Sequence, residues 1–191
     1  MNLSKKLRFH KGFVVLFAWV TLCVPMSAVA GAGKHLVLNL IGTGFMYEDT
    51  VPDIDGDGFD DPAICFDVEL INQSNKQVVG TATDCLSDLT PTGTGVALVG
   101  TSYFHLPQGT LVTRGLTSVQ PVLQPTVTTW GQNITHITGA SGTGNAIIGG
   151  TKRFEGATGT ARLSGMVDLS GFAGNIGDPM TFDCLFVIDL D

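Results

Sequence analysis

The sequence predicts an all-β, antiparallel domain, folded as a sandwich or as a closed up-and-down barrel. Three observations carry that prediction. Beyond Gly42 no segment keeps apolar residues at a helical period for three turns. Short runs rich in Val, Ile, Thr and Phe recur instead. Clusters of Gly, Pro and Asn separate them, and these residues supply the backbone angles that turns require.

The start of the chain reads differently. Lys5, Lys6, Arg8 and Lys11 form a basic segment, residues 13–24 an apolar core broken by Pro25, and Ala28-Val29-Ala30 a small-residue cleavage site. Together they describe a secretory signal peptide over residues 1–30. The apolar core is shorter than the roughly 20 residues that span a bilayer, so no membrane association is expected after cleavage. Residues 31–191 are then one secreted or periplasmic domain.

Within it, residues 35–41 form a short apolar run ended by Gly42. Strands are expected at 64–71, 78–83, 96–104, 110–114, 117–122, 126–130, 145–148, 160–169 and 180–190, each a β-branched or aromatic run bounded by turn residues. The triplet Gly-Thr-Gly occurs at 42–44, 93–95 and 142–144, but its flanks differ, so these are turns and not repeats. None extends into a dinucleotide fingerprint, and Gly144 to Thr151 lacks the lysine of a phosphate loop, so no nucleotide is expected.

Four of the 10 Lys and Arg lie in the first 30 residues and none of the 17 Asp and Glu does, leaving six cations against 17 acids in the mature domain. Such a surface disfavours nucleic acid as a partner. The acids are densest in Asp53-Ile54-Asp55-Gly56-Asp57-Gly58-Phe59-Asp60-Asp61. Carboxylates at positions 1, 3 and 5, glycine at 6, the Phe59 carbonyl at 7 and Asp61 at 9 follow the order of a calcium loop. Position 12 is Ile64 where such a loop has a bidentate glutamate, so Glu48, Asp49, Asp67 or water would complete the shell. Calcium held here by Asp53, Asp55, Asp57, Phe59 and Asp61 would act as a structural clip.

His35, His105 and His136 stand alone, without the spacing of a transition-metal site, and no G-x-S-x-G elbow marks a nucleophile. The mature domain keeps Cys65, Cys85 and Cys184. Cys65 and Cys85 are symmetric about Asn75 in the turn 73–76, so a regular hairpin would set them opposite one another and permit a bridge. Spacing leaves a bridge to Cys184 open as the alternative.

One segment, Asn145-Ala146-Ile147-Ile148-Gly149-Gly150-Thr151-Lys152-Arg153-Phe154-Glu155-Gly156-Ala157-Thr158-Gly159-Thr160, resembles a signature of the allene oxide cyclase and dirigent superfamily. There a strand of small apolar residues runs into G-G-T-G-R-F/Y and a small-residue turn. Residues 106–115 are similar to the preceding hairpin of that family. Lys152 stands where the signature has glycine, while Gly149, Gly150, Thr151, Arg153 and Phe154 match it. The resemblance implies an eight-stranded antiparallel barrel of lipocalin-like shape, a homo-oligomer such as a trimer, and an apolar cavity. It implies that a hydrophobic small molecule is bound and its cyclisation or coupling steered without a redox cofactor, as in a cyclase of that type or a dirigent-like protein. In structural terms the paired glycines would turn the chain at a barrel rim, Phe154 would fold back as a plug, and Arg153 would satisfy carbonyls.

The residues themselves identify no catalytic group. Strand alternation sets Thr101, Tyr103 and His105 on one face and Ser102 and Phe104 on the other, with Arg114 alongside Val112. Tyr103, His105 and Arg114 are the candidate pocket residues. The alternative function is a secreted, non-catalytic binding or structural module stabilised by calcium and a disulfide.

Overall fold

The computed structural model of the protein describes residues 34–128 and 131–191. The expected signal peptide, and the Thr129 and Trp130 end of one expected strand, lie outside the described residues.

The described chain forms strands β1 (Lys34–Phe45), β2 (Tyr47–Val51), β3 (Asp61–Asn72), β4 (Gln77–Thr92), β5 (Gly95–Leu106), β6 (Gly109–Val127), β7 (Asn133–Ala140), β8 (Asn145–Gly150), β9 (Gly159–Asp168) and β10 (Pro179–Leu190), with one short 3-10 turn at Lys152–Phe154. Neighbours run β1-β10-β9-β7-β6-β5-β4-β3-β2, all antiparallel, and β1 also pairs β3. That last pairing, Leu38 with Asn72 through Ile41 with Glu69, closes the sheet. β1 and β2 lie along β3 as one stave kinked at Met46, and β7 and β8 run in one direction between β6 and β9 as one stave interrupted at residues 141–144. The result is the closed eight-stranded antiparallel barrel.

Alternation decides what fills it. In β10, Met180, Phe182, Cys184, Phe186 and Ile188 are buried while the residues between them keep surface, the period expected of a strand with one face on a core. Phe66 on β3 and Phe104 on β5 are fully buried as well, and Phe104 meets Phe186 edge-on from across the barrel at 5.0 Å. Each such side chain contributes roughly 1.5–3 kcal/mol of burial. We call lower the rim bearing turns 73–76 and 107–108 and the segment 151–158, and upper the rim bearing loops 52–60, 93–94 and 169–178.

Besides β1 and β2, which were not among the expected strands, three details differ from the expectations. Residues 110–114, 117–122 and 126–127 are one strand, β6, because Gly115 is not a break: a Cβ there would lie 2.5 Å from the Cα of Asn145, so glycine allows a close approach of β6 to β8. β7 was not expected as a strand, since its Asn, Thr, His and Gly residues dilute the β-branched pattern that the sheet supplies by pairing. The third concerns the hairpin of β3 and β4. Its turn pairs Asn72 with Gln77, and a bulge follows between Leu70 and Ile71. This one-residue shift brings Cys65 opposite Cys85 and Phe66 opposite Asp84. A one-residue slip exchanges the two faces of a strand, so the bulge turns Asp84 into the barrel and Cys85 out of it.

Candidate ligand cavity and acidic loop

The upper half of the lumen is not filled. A cavity of about 120 Å³ lies there, walled by Leu86, Leu98, Leu163, Val167, Phe182 and Phe186 among others. Toward the lower rim the interior is closed by Phe104, Leu111, Ile147 and Phe154. The mouth is bounded by Leu89 and by Leu169 and Phe172 of loop 169–178, with the Phe172 ring 6.0 Å from that of Phe66. That loop is tied down: Asp178 Oδ2 accepts the amides of Ala173 and Asn175 at 2.8 and 2.9 Å, and the Asp178 carbonyl accepts from Met46 N at 2.9 Å. The amide hydrogen bonds of Asn175 and Ala173 hold the Asp178 carboxyl below the usual range.

Seven polar residues interrupt the apolar wall: Asp84, Ser102, Thr113, Thr117, Thr138, Asn145 and Cys184. Asp84 is the acid among them. Ser102, its partner across β4 and β5, donates its hydroxyl to Asp84 Oδ1 at 2.6 Å. What surface the side chain keeps is part of the cavity wall. Burial raises the Asp84 pKa to about 6, against a smaller lowering by the Ser102 bond. Cys184 is the free cysteine and is buried; burial and then the charge of Asp84 push its thiol far up, so it is held protonated and unreactive. Gly165 provides its room, since a Cβ there would lie 2.5 Å from the Cys184 sulfur.

A second recess, about 520 Å³, opens at the lower rim between Lys34, Arg153, Phe154 and Asp191. It is wider, but it mixes opposed charges and brings no buried polar group to a focus. The upper cavity has the form of a ligand site: mostly apolar, with a few convergent polar groups.

The acidic loop lies outside the barrel. Ile54 and Tyr103 pack against Val51, Ala63 and the Cys65–Cys85 disulfide, a small cluster on the outer face of β2 to β5. Arg114 clamps the loop by donating to the carbonyls of Asp53 at 3.0 Å and Pro52 at 2.5 Å, while its Nε donates to buried Thr101. Within the loop Asp53 accepts the amides of Gly56 and Gly58, at 2.6 and 2.9 Å, which hold its carboxyl below the usual range. Oxygen atoms of Asp53, Asp55 and Asp61 lie within 4.8 Å of one another, close enough to share a metal ion. Asp57 stands apart from that group and accepts the Phe59 amide at 2.8 Å. Asp67, a possible supplement, is occupied by the hydroxyls of Thr83 and Tyr47.

Arg114 is therefore the clamp of the loop and does not line the cavity. Tyr103 and His105 also face outward: their rings stack at 6.5 Å, and His105 Nε2 lies 3.1 Å from Thr83 Oγ1. Their neighbours Gly100 and Ser102 line the cavity and Phe104 the filled half below it. In the signature segment Phe154 is buried below the lumen, and a Cβ on Gly150 would lie 2.2 Å from the Phe154 carbonyl oxygen. Gly149 has open space, and Thr151 Oγ1 accepts the Thr110 amide at 3.0 Å. Arg153 reaches a carbonyl through its backbone, donating N–H to Gln108 at 3.2 Å. Lys152 adopts φ of 53°, the left-handed conformation that glycine takes without strain.

Asp84 was missed, and the expected strand 78–83 stops short of it. Ala82, Asp84 and Leu86 alternate along β4, so an acid interrupts an otherwise apolar face, but the bulge that sets this face inward has no mark in the sequence. Compared with protein-family models and with curated proteins, the chain matches none.

Proposed function

We propose that the protein is an exported receptor for an apolar small molecule, held in the upper half of the barrel lumen. The observation that carries this reading is the cavity of about 120 Å³ with an apolar wall and one acid, Asp84, built into it. An apolar cavity of roughly 150 Å³ in another protein takes up benzene, so this one suits a ring or a short chain of similar size. A longer molecule would extend through the mouth past Leu89 and Phe172. The signature-like segment supports the same reading, because barrels of that kind enclose apolar ligands. Steering of a cyclisation or coupling is the extension of it: walls on all sides restrict how a bound chain folds. Export is supported by the signal-like start and by the Cys65–Cys85 disulfide, a bond kept in oxidising compartments.

The acidic loop serves this barrel as a calcium clip, with Asp53, Asp55 and Asp61 as the carboxylate ligands. Three hard oxygen donors that already converge, on a loop whose carbonyls are anchored by Arg114, fit calcium. Native mass spectrometry of protein taken from its own producer tests the main reading. An apolar adduct lost on unfolding is the expected result; protein that is always bare, and binds no apolar probe, would favour a non-catalytic structural module.

A further inference from the structure

We propose that the molecule held in the lumen is an apolar amine, and that Asp84 is the counter-ion that selects its ammonium group. This rests on the apolar-ligand reading above and names the chemistry of the ligand's head.

Asp84 is anomalous as a structural residue. A carboxyl group placed in an apolar wall is costly unless a cation or several hydrogen bonds accompany it. Asp84 has one hydrogen bond, from Ser102 at 2.6 Å. No Lys, Arg or His is among the residues that line the cavity. Its partners across the flanking strands are Phe66 on β3 and Ser102 on β5, neither charged. From β6 and β8 the cavity receives Thr113, Thr117 and Asn145, and from β10 Cys184, the other titratable group, which burial keeps neutral. Arg114, on β6 and two strands from β4, points outward into the acidic loop. Among the described residues, none that lines the cavity brings a positive charge to Asp84.

Three classes of apolar ligand can be ranked on that basis. A carboxylate would bring a second negative charge into a wall with no cation, and is rejected. An alcohol or ketone gains one ordinary hydrogen bond. An ammonium gains a charge-assisted bond to Asp84, the stronger kind. Its remaining N–H groups find oxygen acceptors among Thr113, Thr117 and Asn145, which line the same cavity. Its charge also favours the ionised form of Asp84, which burial alone raises to a pKa of about 6.

The test is a calorimetric titration of the full protein with hexylamine, hexan-1-ol and hexanoate, which share one alkyl chain and differ in the head group. At pH 7.5 hexylamine should bind at least about tenfold more tightly than hexan-1-ol, and hexanoate should show no saturable binding. An alkylamine stays protonated far above this range, as Lys does with a pKa of about 10.4. Lowering the pH to 5 should therefore reduce hexylamine affinity through protonation of Asp84 and leave that of hexan-1-ol in place. In Asp84→Asn the ratio of amine to alcohol affinity should fall to near one. Equal affinity for amine and alcohol in the native protein, or an amine preference that persists at pH 5, overturns the inference and leaves the apolar-ligand reading standing. Saturable binding of none of the three overturns that reading as well.

Discussion

Asp84 links the stability of the barrel to pH in the direction opposite to most carboxylates. Its folded pKa of about 6 lies above the ordinary value of 3.8. Below the ordinary value both states hold the proton and no penalty exists. As pH rises from there toward the folded pKa, the unfolded chain ionises first and stability is lost, and above it the loss is constant. The shift corresponds to about 3 kcal/mol in all. Asp84→Asn should therefore be the more stable protein by up to about 3 kcal/mol at pH 7.5, with the difference vanishing near pH 3.5, in urea unfolding at the two pH values. A variant less stable at both would show that the carboxyl is a structural asset. The other residue readings divided by face. Tyr103, His105 and Arg114 were sought in the lumen because alternation identifies which residues share a face but not which face is inside. Arg114 turned out to hold the loop whose acids had been read separately, a contact between residues 61 positions apart that no local pattern records.

At the level of elements, punctuation by glycine was the hardest signal to read. Gly149 and Gly150 look equivalent in the sequence, yet one faces open space and the other the backbone of Phe154. Gly150→Ala should cost roughly 1–3 kcal/mol, as overpacking does, while Gly149→Ala should stay within about 0.5 kcal/mol. Thermal unfolding of the pair checks this; equal effects would mean that Phe154 does not fold back beneath the rim. The β3 and β4 hairpin carries the next prediction. The disulfide closes a separation of 20 residues, and a loop near that size is worth about 3 kcal/mol. The double substitution Cys65→Ala, Cys85→Ala should lower urea stability by about that amount. Unreduced peptide mapping should find these two linked, and Cys184 should resist alkylation until the protein unfolds. Labelling of Cys184 in the native state would contradict its place in the wall. Symmetry about the turn pointed to the right pair, although the real hairpin reaches it through a bulge.

For the whole molecule, the all-β class was legible because period-2 alternation and turn residues act locally, while the eight-stranded closure was expected from the signature-like segment alone and the strand count was missed, β2 and β7 among them. The division of the lumen was not, since it follows from which large side chains meet across the barrel, as Phe104 and Phe186 do in the lower half. The acidic loop was legible as a motif, and three of its four expected carboxylates converge. Calcium at 100 times its dissociation constant should stabilise the barrel by about 2.7 kcal/mol. Calcium should therefore raise the melting temperature, and Asp55→Asn should abolish the rise; an identical melting curve with calcium and with chelator would remove the clip from the account. The central claim, that the lumen is a binding site, is tested most directly by titrating benzene into the isotope-labelled protein and into Thr117→Trp, which places an indole in the cavity. The account predicts saturable one-to-one shifts confined to residues such as Leu98, Leu163 and Phe182 in the native protein and none in the variant. Shifts that never saturate, or that survive Thr117→Trp, would contradict it.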